Sequence, residues 1–365
     1  MRQRLKYHFE PGKGWMNDPN GLIFYKGYYH AFFQHNPKAP KWDTMHWGHA
    51  ISKDMLHWEE QKIALYPDMP YENDGGCFSG SAIEKDGRLY LFYTSVSHEL
   101  GQTQSVAYSD DGINFTKYEN NPVIDHYPID GCKDFRDPKV IKYQDKYLMV
   151  VGSKGKQFGR VLLYYSDDLL NWEYSGVLFE DTAYTDTIEC PDLFFLDDKY
   201  VLMYSKIGCS MSATQFVIGT FDGQIFYEEY RVSPEMGPQF YAPQTFMAED
   251  GRRIMIGWFY DWKLKPGKDD IYAGALSLPR ELELSGDHIL AKPIREADGL
   301  RVSEDENVTV LPDIDSGKKV IVTGTTEGDI EYCCNLHNIW IYRDGIGLEV
   351  FINNGECVIS ARMEK

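Results

Sequence analysis

The chain has no apolar run long enough to span a membrane, and its seven cysteines, an odd number, include no C-x-x-C pair. The first absence excludes a transmembrane helix. Because the basic residues of Met1-Arg2-Gln3-Arg4-Leu5-Lys6 are followed by no hydrophobic stretch, no signal peptide is read either, and a cytoplasmic protein is expected. The second absence argues against a disulfide framework or a cysteine zinc site. His8, His35, His46 and His49 fall at no metal-ligand spacing and read as polar packing groups, so neither metal nor cofactor is expected. Positive charge is scarce: 37 Lys and Arg stand against 56 Asp and Glu, a formal net charge of −19. Such a field repels nucleic acid, anionic membranes and polyanionic substrates.

Aromatic residues, by contrast, are plentiful at 15%, with 26 Tyr and 8 Trp. They suit β-structure and ligands that present flat C–H faces beside hydroxyls, which points to sugar. No segment sustains a helical period. Three segments resemble one another instead: Ser52-Lys-Asp-Met-Leu-His-Trp58, Ser109-Asp-Asp-Gly-Ile-Asn-Phe115 and Ser166-Asp-Asp-Leu-Leu-Asn-Trp172, at an interval of 57 residues. Each follows alternating strands such as Leu89–Tyr93 and Val161–Tyr165. A repeat somewhat longer than the roughly 40–50 residues of common propeller blades predicts an all-β, five-bladed β-propeller, since residues 1–295 hold some five such units. After Pro293 the texture changes. Glu296 to Glu306 is charged and poor in apolar residues, and strands resume at Val308–Leu311, Lys319–Val322 and Leu348–Ile352, so 296–365 is read as a small second β module that leans on the propeller.

Three carboxylates sit where strands of different repeats begin. Asp18 lies in Trp15-Met-Asn-Asp-Pro-Asn-Gly21, read as a rigid turn ahead of the strand Leu22–Tyr25; Asp137 lies in Phe135-Arg-Asp-Pro138, and Glu189 in Ile188-Glu-Cys-Pro-Asp192. Taken singly, each is ordinary loop punctuation. In a propeller, however, corresponding strand starts converge on one axial pocket. Three acids gathered there repel one another and raise at least one pKa, which is the condition for a retaining glycosidase. Arg136 is expected to keep Asp137 ionised. Cys190 reads as a small apolar neighbour rather than a nucleophile.

These motifs, together with Met45-His-Trp-Gly-His49, Cys77-Phe-Ser-Gly-Ser81, Tyr241-Ala-Pro-Gln-Thr245 and Gly274-Ala-Leu-Ser-Leu-Pro-Arg280, resemble glycoside hydrolase family 32, the β-fructofuranosidases. The resemblance covers essentially residues 7–295 and is closest in texture to intracellular bacterial sucrases and sucrose-6-phosphate hydrolases. It implies a propeller followed by a β-sandwich, with Asp18 as nucleophile, Glu189 as general acid/base and Asp137 as transition-state stabiliser. It further implies sugar contacts from Asn17, Gln34, Trp42, Phe78, Ser79, Arg136, Asp192, Tyr241 and Trp258. The substrate would be a small carbohydrate: sucrose, sucrose 6-phosphate or a short fructo-oligosaccharide. A transfructosylase would use the same acids, and a non-catalytic sugar-binding propeller would not need all three. One departure stands out: Ile341-Tyr-Arg-Asp344 and Leu348–Glu356 resemble the end of the family's sandwich, yet the stretch between residue 300 and there is less than half the family's usual length, so strands are expected to be missing. The module's uncovered edges would be closed by the propeller or by a second copy of the chain in a homo-oligomer, with Val350, Phe351 and Ile352 expected at the contact.

Overall fold

The computed structural model describes residues 3–209 and 211–363, and apart from three short 3₁₀ turns its regular structure is β-strand. No helix among the described residues is long and apolar enough to cross a membrane. Five antiparallel sheets follow one another along the chain as far as Pro293, each built on four strands in simple up-and-down order. Their first strands are Gly14–Tyr25 (β1), Gly76–Lys85 (β2), Arg136–Tyr143 (β3), Ile188–Leu196 (β4) and Tyr241–Met247 (β5). These five stand side by side in a closed ring, β1 against β2 and so on round to β5 against β1, which is the inner wall of a β-propeller. The ring is fastened where Gly14 and Trp15 pair in parallel with Tyr272 and Ala273, a short strand that lies in the chain between the second and third strands of the last sheet.

The repeated segments are the turns between the third and fourth strands of three blades, and their residues serve one purpose. In each, a serine hydroxyl (Ser52, Ser109, Ser166) accepts the N–H three residues on. The aspartate two positions after that serine (Asp54, Asp111, Asp168) accepts two further backbone N–H groups. Side-chain oxygens thus satisfy a turn that the ladder cannot.

Every inner strand carries a β-bulge near its start. Residues 17 and 18 of β1 oppose only Gln34, 78 and 79 of β2 oppose Thr94, 137 and 138 of β3 oppose Val151, 190 and 191 of β4 oppose Tyr204, and 242 and 243 of β5 oppose Gly257. Proline occupies the second place in three of these pairs and cannot donate to a ladder, so the chain must loop out there. The preceding residues Asp137, Cys190 and Ala242 accordingly take the left-handed conformation, at φ 65°, 49° and 47°. The segment around Asp18 is therefore not a turn before a strand. It is the opening of β1 itself, with a second irregularity at Gly21-Leu22.

The C-terminal module is two three-stranded sheets, Val308–Asp313 (β6), Gly317–Thr325 (β7) and Gly328–Cys334 (β8), then Ile339–Asp344 (β9), Gly347–Ile352 (β10) and Cys357–Arg362 (β11). Val320, Val322 and Ile330 of the first sheet pack on Ile341, Val350, Ile352 and Ile359 of the second. The other face of the second sheet turns Tyr342, Phe351 and Val358 into the same core as Phe240, Leu278 and Ile294 of the propeller. Of the three residues expected at the propeller contact, only Phe351 makes it. Val350 and Ile352 face the module's own interior, because side chains alternate along a strand.

Candidate active site

The bulges aim side chains at the axis. Asn17, Asp18, Phe78, Ser79 and Asp137 come from the bulges themselves, while Arg136, Glu189 and Tyr241 come from the residue just before one; together with Gln34 and Trp42 they line a cavity of about 330 Å³. This lies within the roughly 300–1,000 Å³ of small-molecule sites. Three acids separated widely in sequence thus meet in one pocket. Cys190 marks how closely, since its sulfur lies 3.8 Å from Asp18 Oδ2 and 3.5 Å from Asp137 Oδ2.

Each acid has a different environment. Asp18 accepts hydrogen bonds from Asn17 Nδ2 at 3.0 Å and Ser79 Oγ at 2.8 Å, which favour its charge. Burial and the nearby Glu189 nevertheless push its pKa up. Asp137 accepts the Cys190 N–H at 2.9 Å, and its own N–H donates to Thr94 Oγ1. Burial first and Glu189 second push its carboxyl up to about 7. Glu189 accepts Arg136 Nε at 3.0 Å on one oxygen and the Tyr241 hydroxyl on the other. Two flanking residues therefore fix the orientation of its carboxyl.

Arg136 does not play the part expected of it. Its guanidinium bonds Glu189, Asp134 Oδ1 at 3.2 Å and Gln102 Oε1 at 3.3 Å, not Asp137. The left-handed backbone at Asp137 turns the two neighbouring side chains apart. Arg136 still pulls the Asp137 pKa down through space, but burial and Glu189 outweigh it. Cys190 is buried, and burial together with Asp137 and Asp18 pushes its thiol up, which keeps it protonated and unreactive.

Asp192 and Trp258 stand behind the pocket. Asp192 is the first residue paired after the β4 bulge, so its side chain lies fully buried between blades, 2.7 Å from the Thr245 N–H and 3.0 Å from Lys139 Nζ. Trp258 is fully buried opposite Tyr241 and donates its indole N–H to the Met16 carbonyl at 2.9 Å. Gln102, Asp134 and Trp262 line the axial pocket without having been singled out in the sequence. Asp134 carried a signal in its place two residues before Arg136, and Trp262 another in the aromatic run Trp258-Phe-Tyr-Asp-Trp262.

A second cavity of about 280 Å³ opens on the far side of Glu189 and Tyr241, which line both. Its walls include Cys209, Phe240, Trp258, Tyr260, Trp262 and Lys263. Trp262 forms the shared rim, half exposed, stacked on Trp15 at 5.6 Å between ring centroids and edge-on to Trp258 at 4.9 Å. Among the described residues no group of three or more His, Cys, Asp or Glu is arranged to hold a metal ion.

Residues 8–293 match the family model of the glycosyl hydrolases family 32 N-terminal domain. A sucrose-6-phosphate hydrolase of Zymomonas mobilis is 40% identical over 84% of this chain, which spans only 65% of that protein's length. One from Escherichia coli is 37% identical over 95% of this chain and 76% of its own. Among solved structures, a Bombyx mori β-fructofuranosidase in complex with sucrose superposes with a TM-score of 0.86 at 33% identity, covering 99% of this chain and 89% of the other. The inner strands with their converging acids, the attached β-module and these matches agree, and the chain belongs to glycoside hydrolase family 32.

Proposed function

We propose that the protein hydrolyses sucrose-type donors at their terminal β-D-fructosyl unit, with retention, through a fructosyl-enzyme. The observation that carries this reading is that Asp18 and Glu189 line one pocket and that, of these two acids, Glu189 alone also faces the adjoining cavity. The fructosyl ring lies over Asp18, and the leaving sugar lies beyond Glu189. Asp18 attacks the anomeric carbon while Glu189 gives its proton to the departing oxygen; Glu189 then deprotonates the water that releases fructose. Asn17 and Ser79 hold the attacking carboxylate in line. Asp137 holds ring hydroxyls, a role suited to a carboxyl that can give as well as accept a hydrogen bond near neutral pH. The catalytic unit is residues 1–295 and the appended module 296–365. Retention requires the Asp18 and Glu189 carboxyls to stand about 5–5.5 Å apart.

The test is fructose release from sucrose, sucrose 6-phosphate and short fructo-oligosaccharides by the wild type, Asp18→Asn and Glu189→Gln. Each variant keeps the shape of its side chain, and each is expected to lose at least the roughly 10²–10⁴-fold that acid–base help supplies. Glu189→Gln should recover in part on donors with a good leaving group, with the fructosyl-enzyme accumulating. Near-wild-type turnover by either folded variant would overturn the assignment.

A further inference from the structure

The second cavity receives the sugar that leaves, and its rim is held by the C-terminal module. The tip of the β7–β8 hairpin reaches the loop after Trp258. Glu327 Oε1 accepts Lys263 Nζ at 2.7 Å, and Gln239 Nε2 donates both to Thr326 Oγ1 at 2.7 Å and to Asp261 Oδ2 at 2.6 Å. Gln239 is fully buried and takes the Arg362 N–H of β11 on its oxygen, so three segments meet on one amide. Asp261 Oδ1 in turn accepts the N–H groups of Lys263 and Leu264, which shapes the loop that presents Trp262. A segment far from the reacting acids in sequence thereby positions the wall of the leaving-group cavity.

The charges on that wall decide what the contact does. Among the described residues lining the two cavities, five are carboxylates (Asp18, Asp134, Asp137, Glu189, Asp261) and two are cations. Arg136 is committed to Glu189 and Asp134. Lys263 is thus the cation on the leaving-group side, and Glu327 neutralises it. Resting on the fructosidase reading, we propose that Glu327 is a specificity-determining residue for the leaving sugar: paired with Lys263, it leaves the cavity without free positive charge, so that a neutral sugar is taken in preference to a phosphorylated one. A phosphate carries close to two negative charges at neutral pH and, with Lys263 paired, would meet no free cation there. The Lys263 side chain is 64% exposed, so its pairing is soft and can be exchanged.

The experiment compares kcat/KM for sucrose and sucrose 6-phosphate in the wild type, Glu327→Gln and Glu327→Gln/Lys263→Gln. The wild type is expected to favour sucrose. Glu327→Gln frees the ammonium and should move the donor ratio toward sucrose 6-phosphate by about fivefold, a gain that shrinks as salt is raised; removing Lys263 as well should abolish it. A role for Glu327 confined to bracing the loop would lower both donors together, leave the ratio salt-independent, and overturn the proposal. A wild type that prefers sucrose 6-phosphate would overturn it too, while leaving the fructosidase reading in place. Fructose released from neither donor would instead overturn that reading, and this inference with it.

Discussion

Replacing Arg280 by methionine should unfold the protein far more readily while leaving its chemistry alone. Arg280 opens the strand Arg280–Ser285 of the last blade and is completely buried. One guanidinium nitrogen lies 2.7 Å from Glu235 Oε2, the other 2.7 Å from Glu349 Oε2 and 2.6 Å from Ser360 Oγ, and the group sits 4.1 Å over the Phe240 ring. One cation therefore serves two buried carboxylates across the contact between propeller and module. Methionine keeps most of the stem volume, so the loss is mainly electrostatic: Glu235 keeps no cation, and Glu349 keeps only His8. Breaking a buried pair by removing one partner costs about 3–5 kcal/mol, and the double load here puts the cost at the upper end. That corresponds to a fall in Tm on the order of 10 °C by calorimetry. Arg280→Met/Glu235→Gln/Glu349→Gln should recover much of the loss, because no charge is then stranded. A single variant melting within about 2 °C of the wild type would refute the reasoning. Fructose release well below the transition should not change, since Arg280 lines neither cavity.

His8 bonds Asp344 at 3.0 Å and Glu349 at 2.9 Å, and although burial opposes its charge these two acids raise its pKa above the ordinary 6.5. A raised folded value means that this stabilisation is complete below about pH 6.5 and is lost as pH rises through the folded value, so the fall in Tm from about pH 6 to pH 9 should be smaller in His8→Gln. Burial pushes the Glu349 carboxyl up, but Arg280 and His8 hold it down to about 2, so its contribution is present above its ordinary 4.5 and fades as pH falls toward 2 in urea titrations. Asp137, raised from 3.8 to about 7, works in the opposite sense and destabilises the fold increasingly as pH climbs between those values. Asp137→Asn should therefore abolish turnover yet melt higher than the wild type at about pH 8, by a few degrees, and asparagine tolerates the left-handed backbone there. Deleting residues 300–365 strips Tyr342, Phe351 and Val358 from the shared core, takes Glu349 from Arg280 and removes both acids that His8 bonds, so the truncated chain should aggregate. A soluble truncation with an unchanged melting temperature would show the contact to be dispensable.

Much of the fold was legible because its turns are written in side chains. Ser52, Ser109 and Ser166 with their aspartates repeat at a fixed interval, and each makes the same local hydrogen bonds wherever it occurs. Asp18, Asp137 and Glu189 could be singled out because the prolines near them mark where a ladder must break. Which residues meet across the ring was a different matter. Arg136 adjoins Asp137 in sequence but bonds Glu189 on the next strand, because a bulge reverses which neighbours share a face. Asp192, a sugar contact by the family resemblance, lies off the pocket because one extra looped-out residue decides whether a carboxyl reaches the axis or the space between blades. The part of the rim held by Thr326 and Glu327 had no local signal at all, since its partners, Gln239 and Lys263, lie in another unit of the chain.

The five bulges also separate two demands that proteins usually force onto the same residues. Backbone ladder positions on either side of each looped-out pair keep the blades paired whatever occupies the loop, so the pair itself is released from the duty of holding the fold. The axis then behaves as a socket to which three of the five bulges contribute side chains. Asn17-Asp18, Phe78-Ser79 and Asp137-Pro138 supply the present chemistry, while Cys190-Pro191 and Ala242-Pro243 present small, chemically quiet side chains. Exchanging a side chain in the three contributing pairs would rewrite the pocket at no cost to blade pairing, whereas Cys190 and Ala242, buried and lining neither cavity, have no such freedom.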